Sequence, residues 1–418
     1  MILLDRTVAP AFQNAVDFQL PPFHHHRASN GTQWIVLPTV QQEVIKIELV
    51  FAAGKWHEPA RGIAHFTSAM LEKGTPKKSA ADIASFLDWK GAQVEITSGY
   101  DYSSIALYAL LRHWEETFAY LLEMIRESSF PEDELTLLKN IFKDNLRVNR
   151  EKNAYVAGQV FRKSLFGESH PYGSAVDEAD IDRITPEDLA HFARFLKTPA
   201  FVFVTAPPSA KINTEVMAGE WAKQKEESPQ GMVISPVGLI KVEKETSSQT
   251  ALRLGHVVSN RNHHDYPRLL LLNQVLGGYF GSRLMKNIRE EKGLTYGIHS
   301  SITPLRHSAY WVIGAEVNKE NEELALDEIR KEILQLQDEQ VQPSELDLAR
   351  NHLLGSLQQD LSNPFSVMDK LKNIFLFDLP PDFYSRVYQS VRQASPADVR
   401  SVAQSQFFPA ELHCVAVG

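Results

Sequence analysis

Two short stretches hold the side chains best placed to do chemistry. The first is Gly62-Ile63-Ala64-His65-Phe66-Thr67-Ser68-Ala69-Met70-Leu71-Glu72-Lys73-Gly74-Thr75. On a helix, His65 and Ser68 fall on one face, so an imidazole could activate a hydroxyl nucleophile. Nothing else in the sequence completes a triad, and Ser68 has no pKa near neutrality that would let it act as a base. The second runs from Leu276-Gly277-Gly278-Tyr279-Phe280-Gly281-Ser282-Arg283-Leu284 into Ile288-Arg289-Glu290-Glu291-Lys292-Gly293-Leu294-Thr295-Tyr296-Gly297. Arg289 and Tyr296 lie seven residues apart (296 − 289 = 7). A guanidinium and a phenol form a donor pair suited to a peptide carbonyl whose oxygen gains charge as water attacks. A plainer reading stands beside it: an arginine complementing a helix dipole and an aromatic packed in a strand. The run His24-His25-His26 invites a metal. Three consecutive histidines cannot all face one ion from a regular element, and no carboxylate is near, so it reads as a solvated loop.

These residues need elements to hold them. Ser282–Lys292 reads as a helix with Gly293 as its C′ residue, and Leu294–Ile302 as a strand. Arg289 then sits in the last helical turn and Tyr296 near the strand start, both able to lean toward one point. In the first half, Trp34–Leu37 and Val44–Phe51 read as strands, the second placing Ile45, Ile47, Leu49 and Phe51 on one face. Gly74 stops the helix bearing His65. Ser79–Trp89 is a helix with Ser79 as N-cap and Asp82 three residues on, closed by Gly91. Strands follow at Val94–Thr97 and Ser103–Leu111. Helices follow at Trp114–Glu127, Pro131–Arg150 and Tyr155–Leu165. Another begins at the cap Thr185, with Pro186 in its first position, and Phe201–Thr205 closes the half.

A proline-rich linker at 207–235, with a charged helix-like stretch Thr214–Glu227, precedes a second pass through the same order. Phe130-Pro131-Glu132-Asp133-Glu134-Leu135 is echoed by Val341-Gln342-Pro343-Ser344-Glu345-Leu346 (343 − 131 = 212). Thr185-Pro186-Glu187-Asp188 is echoed by Ser395-Pro396-Ala397-Asp398 (396 − 186 = 210). Each later cue leads to a closing strand, Leu412–Val417 in the second half. The pattern predicts a duplication with domains at 1–220 and 230–418. Strands and helices mix without steady βαβ alternation, which gives an α+β class. Each domain is expected to be a mixed or antiparallel sheet with helices packed on one face.

The chain's 418 residues exceed what one compact core holds. A formal net charge of -9 without a basic cluster argues against a nucleic-acid partner. No run approaches the ~18 apolar residues of a membrane span, so no membrane partner is expected. Met1–Leu20 carries Asp5, Arg6 and Asp17 and no signal-like apolar run. The lone Cys414 reads as a buried hydrophobe in a last strand and suits a reducing compartment. The expected location is cytoplasmic.

The phrases around His65, Gly-Ile-Ala-His-Phe and Met-Leu-Glu-Lys-Gly-Thr, resemble the pitrilysin/insulinase-like (inverzincin) peptidases. So does His170-Pro171-Tyr172-Gly173. In that family His-x-x-Glu-His supplies two zinc ligands and a general base. Here the base position is Ser68 and the second ligand position Ala69. The third ligand, a glutamate 76 residues further on, falls on Asn145 (145 − 69 = 76). The segment from Asn145-Leu146-Arg147 to Leu165-Phe166-Gly167 supports that register. Catalytic zinc needs three protein ligands and an open position, so His65 alone implies no cofactor in this chain, and His65 is expected as a remnant packed between domains. The Arg289/Tyr296 stretch, by contrast, matches the family's arginine/tyrosine motif. The resemblance covers the chain from about residue 29 to the end and implies paired α/β domains. It further implies the catalytically silent subunit of a heterodimeric zinc peptidase. A homologous His-x-x-Glu-His subunit would hold the zinc, and Arg289 and Tyr296 would act in trans on a peptide substrate. The alternative is a non-enzymatic scaffold or peptide-binding protein of the same fold.

Overall fold

The computed structural model describes residues 7, 18–39, 43–214, 217, 219, 221, 238–245 and 247–418. Most of Met1–Leu20 and of Thr214–Glu227, read above for a signal and a helix, lies outside them. The strands of the first half are β1 (His24–Arg27), β2 (Gln33–Pro38), β3 (Val44–Phe51), β4 (Gly74–Thr75), β5 (Lys78–Ser79), β6 (Gln93–Ser98), β7 (Ser103–Leu110) and β8 (Phe201–Ala206). Those of the second are β9 (Leu239–Val242), β10 (Gln249–Val257), β11 (Thr295–Pro304), β12 (Ala309–Asn318) and β13 (His413–Val417). Apart from the short β4–β5 ladder they form two sheets, ordered β1-β2-β8-β3-β7-β6 and β11-β12-β10-β13-β9.

Read from the other end, the second order is β9-β13-β10-β12-β11, which matches β2-β8-β3-β7-β6 strand for strand. The pairs β2/β8 and β9/β13 are parallel, and the other pairs of the matching five are antiparallel. Both sheets are thus mixed, and the α+β reading with two like halves holds. Local signals formed as the sequence dictates. Ser79 and Asp82 make a reciprocal capping box, and the echoed caps Thr185/Asp188 and Ser395/Asp398 make two more. Each satisfies orphan backbone donors at a helix start.

One face of each sheet is covered by helices of its own half. Ile45, Ile47, Leu49 and Phe51 of β3 lie in a core with Trp34, Val202 and Val204. Into that core pack α1 (Ile63–Met70), α2 (Ala80–Lys90), α3 (Trp114–Arg126), α4 (Glu132–Glu151), α6 (Glu178–Arg183) and α7 (Pro186–Phe192). Leu252, Leu254, Trp311 and Ile313 lie likewise among α8 (Tyr266–Asn273), α9 (Glu322–Asp338), α10 (Pro343–Gln359), α12 (Phe383–Gln393) and α13 (Pro396–Gln406).

The reverse faces are covered reciprocally. The helix after α4, α5 (Asn153–Phe166), lays Ala157, Phe161 and Leu165 on Ala251, Val415 and Val417 of the second sheet. The helix after α10, α11 (Pro364–Leu376), places Val367, Leu371 and Ile374 in one core with Ile35, Leu37, Val50, Phe201 and Phe203 of the first. An ion pair from Lys372 on α11 to the buried Glu48 on β3, 2.5 Å, marks that contact. Burial works against the Glu48 charge, but Lys372 and Lys46 keep its pKa below the usual carboxylate value.

The His24–His26 stretch is not a loop. It is the edge strand β1, exposed throughout, paired antiparallel with β2, with His25 Nε2 3.2 Å from Gln33 Oε1. A free strand edge recruits backbone regardless of side-chain apolarity, so the exposed histidines carried no strand signal.

Candidate functional site

The helix bearing His65 starts at Gly62, whose φ of 95° suits glycine. Glu58 Oε2 accepts from the N–H groups of Gly62 and Ala64, each 3.1 Å, and so closes the helix start. His65 lies between aromatic rings, 5.6 Å from Phe66 and 4.9 Å from Phe142 of α4. Both rings belong to the first half, because α4 crosses α1 and offers Phe142 at the contact. Burial, then the nearby Lys55 charge, pull the imidazole pKa down, which favours the neutral ring.

Ser68 is 3% exposed. Its Oγ lies 3.4 Å from Ser103 Oγ, which donates to the Ala53 carbonyl at 2.7 Å. The hydroxyl is thus engaged with β7 and not with His65. Ala69 offers no ligand atom. Asn145 lies exposed on α4, three residues beyond Phe142. A zinc ion does not fit this donor set, which offers one imidazole, one neutral amide and no carboxylate at the ligand positions. Among the described residues, three potential ligands meet only at His263, His264 and Asp265 in the second half, where Arg268 pairs with the carboxylate at 3.4 Å.

The other stretch is built differently. After α8 the backbone widens into a π turn at Gln274–Gly278 and leaves helical geometry at Gly277. A Cβ on Gly277 would stand 2.6 Å from Ser300 Cβ, so only glycine allows the turn to touch β11. Ser300 Oγ donates to Asn273 Oδ1 and accepts from Trp311 Nε1, both at 2.7 Å. This network pins β11 to the glycine turn. A second π turn, Met285–Glu291, carries Arg289; such turns recur at functional sites. It is held by a two-pronged pair from Arg283 to Glu345, 2.8 and 3.0 Å, and by Asn287 Nδ2 donating to Glu332 at 2.7 Å. Gly293, at φ 63°, ends it.

β11 opens with a bulge, its register shifting between Thr295 and Ile298. Thr295 Oγ1 donates to the Glu316 carbonyl at 2.6 Å and accepts from Gly297 N at 3.2 Å. The two residues left over at the bulge are Tyr296 and Gly297, and Tyr296 is 94% exposed. Bulges re-aim side chains in this way. The Tyr296 phenol has no hydrogen bond and the Arg289 guanidinium no ion pair among the described residues. Arg289 lies 4.7 Å over the ring of Phe280.

A cleft of about 660 Å³ opens here, lined by Gly277, Phe280, Tyr296, His299 and Arg253 among others. Arg289 is not on its lining; it joins through Phe280. Arg253 and His299 escaped the sequence reading. Their signals were a charged residue between Leu252 and Leu254 of an apolar strand and the glycine Gly314 in another. Burial pulls the pKa of Arg253 down. Burial, then Arg253 itself, pull that of His299 down.

Residues 35–169 match the family model of insulinase (peptidase family M16), and residues 184–353 match the peptidase M16 inactive domain. The chain belongs to the M16 family. It is 25% identical to the uncharacterized zinc protease YmxG of Bacillus subtilis over 82% of this chain and 86% of that one. It is 22% identical to the non-peptidase homolog YmxG of Helicobacter pylori over 81% and 80%. Among solved structures, a peptidase M16 inactive domain from Pseudomonas fluorescens superposes with a TM-score of 0.87 at 23% identity, covering 95% of this chain and 98% of that one. The periplasmic protease PqqL of Escherichia coli superposes at 0.77 and 13% identity, covering 99% of this chain but 49% of that one. The second half is thus of the inactive M16 kind. Among the described residues no helix is long and apolar enough to cross a membrane.

Proposed function

We propose that this M16 chain is the silent subunit of a two-chain zinc peptidase, lending Arg289 and Tyr296 to a substrate held at the partner's zinc. The observation that carries this is the contrast between the two sites. At His65 the ligand and base side chains are replaced, and the one hydroxyl present is turned into the core. At Tyr296 a bulge and a glycine turn hold a phenol in open solvent with no partner of its own. An aromatic displayed this way gains nothing from burial, so its placement is best explained by what it meets outside the chain. A phenol O–H and a guanidinium are suited to a peptide carbonyl in the transition state. The partner is expected to be a homologous chain with an intact His-x-x-Glu-His motif. That a chain of this size spans half of PqqL fits a peptidase assembled from two such units.

The test is peptidase activity of each chain alone and of the mixture. Cleavage that a chelator abolishes should arise only when both are present. Chelator-sensitive cleavage by this chain alone would overturn the reading. Stable assembly without any gain in activity would favour a scaffold role instead.

A further inference from the structure

The cleft beside Tyr296 has a floor that the proposed role leaves unused. Arg253 on β10, Gly314 on β12 and His299 on β11 stand opposite one another across three strands. Gly314 has no side chain, and its neighbours lean over it. A Cβ there would lie 2.9 Å from His299 Nε2 and 3.2 Å from Arg253 Nη1.

Arg253 is held by two carbonyls. Its Nη1 donates to Leu252 O at 2.8 Å and its Nη2 to Ala154 O, at the start of α5, at 3.3 Å. Among the described residues no carboxylate comes within ion-pair distance of it. Glu316 lines the same cleft but does not close on the guanidinium. A half-buried cation with no ion pair, its charge met only at a distance by Glu316, is costly, and the cost falls when an anion closes on it. The His299 ring has no hydrogen-bond partner among the described residues and can add a donor. The walls are apolar where Phe280, Met285 and Ile298 contribute. β11 is the outer strand of its sheet, so its free edge can take an extended backbone.

We propose that this cleft is a binding subsite for a carboxylate of an extended peptide, gripped by Arg253 with His299 beside it. That the ligand is a peptide rests on the function proposed above; that it is an anion rests on Arg253. The carboxylate can be the peptide's own C-terminus or an acidic side chain, since both offer the planar pair of oxygens that a guanidinium fork fits.

The test uses the purified chain without any partner. Four fluorescein-labelled heptapeptides of alanine and leucine differ only at their last residue: glutamate acid, glutamine acid, glutamate amide and glutamine amide. Fluorescence anisotropy should show the glutamine amide, which has no carboxylate, binding roughly tenfold or more weakly than the better of the two singly charged peptides. Which of those two binds better tells the α-carboxylate from the side chain. In Arg253→Gln the preference should vanish, the four peptides falling within about twofold. If that variant fails to fold, Arg253→Lys, which keeps the charge but loses the fork, should still cut the preference several-fold. Equal binding of all four by the unaltered chain, no binding at all, or an unchanged preference in a folded Arg253 variant would each overturn the proposal. Carboxylate preference without activity in the two-chain mixture would sink the proposed function and leave this subsite standing. Activity without the preference would do the reverse.

Discussion

Replacing Tyr296 by phenylalanine removes one oxygen and tests the proposed role with little collateral damage. The phenol is 94% exposed and makes no hydrogen bond among the described residues. Its loss leaves no buried group unpaired, so unfolding free energy should change by no more than about 0.5 kcal/mol. If the phenol donates to the oxygen that gains charge at the partner's zinc, its removal forfeits about 2.7–4 kcal/mol of transition-state stabilisation, on the order of 10²–10³ in kcat. Arg289→Ala should cost a similar factor. It also breaks the stacking on Phe280 at 4.7 Å, about 0.5–1 kcal/mol at an exposed site. The assay is chelator-sensitive peptidase activity of the assembled pair, with thermal midpoints, sedimentation of the complex and partner zinc content measured alongside. Assembly and zinc should be unchanged. Full kcat in both variants would refute the reasoning, and a fall in stability with kcat intact would make the pair structural.

Zinc content should be equal in the unaltered chain and in His65→Ala, measured by elemental analysis after desalting; loss of one zinc per chain in the variant would contradict the degenerate-site reading. Gly277→Ala should lower stability by about 1–3 kcal/mol through overpacking, because its Cβ would meet Ser300 N at 2.8 Å. Gly355→Ala on α10, with nothing within 4 Å, should instead raise it by about 0.5–1 kcal/mol; paired chemical denaturation curves check both signs. Glu58 has its pKa pushed up to about 7, chiefly by burial. Between the ordinary carboxylate value and 7 the folded chain keeps a proton that the unfolded chain releases. This contribution is therefore full at low pH and lost as pH rises through 7, by about 3 kcal/mol. The stability difference between the unaltered chain and Glu58→Gln should shrink by that much from pH 4.5 to 7.5. The lowered pKa of His65 acts oppositely, costing stability as pH falls below 6.5, but it acts in both proteins and cancels in the difference.

What could be read in advance was what neighbours in sequence decide. The capping serines and threonines, the alternation of Ile45, Ile47, Leu49 and Phe51, and the glycine stop at Gly293 are fixed within a few residues. What escaped depends on partners far along the chain. The strand His24–Arg27 exists because β2 has a free edge to give it. Arg253 and His299 are 46 residues apart (299 − 253 = 46) and meet only through the register of three strands. The chemistry proposed for Arg289 and Tyr296 comes from residue type and spacing alone. Their mounting was not legible there, since neither the π turn under Arg289 nor the bulge behind Tyr296 differs in composition from an ordinary helix and strand. The ring that His65 lies against, Phe142, comes from α4 of its own half, a neighbour 77 residues on (142 − 65 = 77).

The reciprocal covering of the sheets governs how the chain can come apart. Without α11, the first sheet would expose Ile35, Leu37, Val50, Phe201 and Phe203 to water and strand Glu48 without Lys372. Without α5, the second would expose Ala251, Val415 and Val417. Neither half can therefore melt while the other stays intact, and heat or denaturant should act on the whole chain in a single cooperative transition. Cutting the covalent connection between the halves would not free them, since each fragment keeps a helix that the other needs. For the same reason the halves cannot swing apart like a clam shell to admit a substrate. Tyr296 is instead carried on one rigid plate, and in the proposed two-chain assembly any opening and closing around a peptide takes place between this chain and its partner.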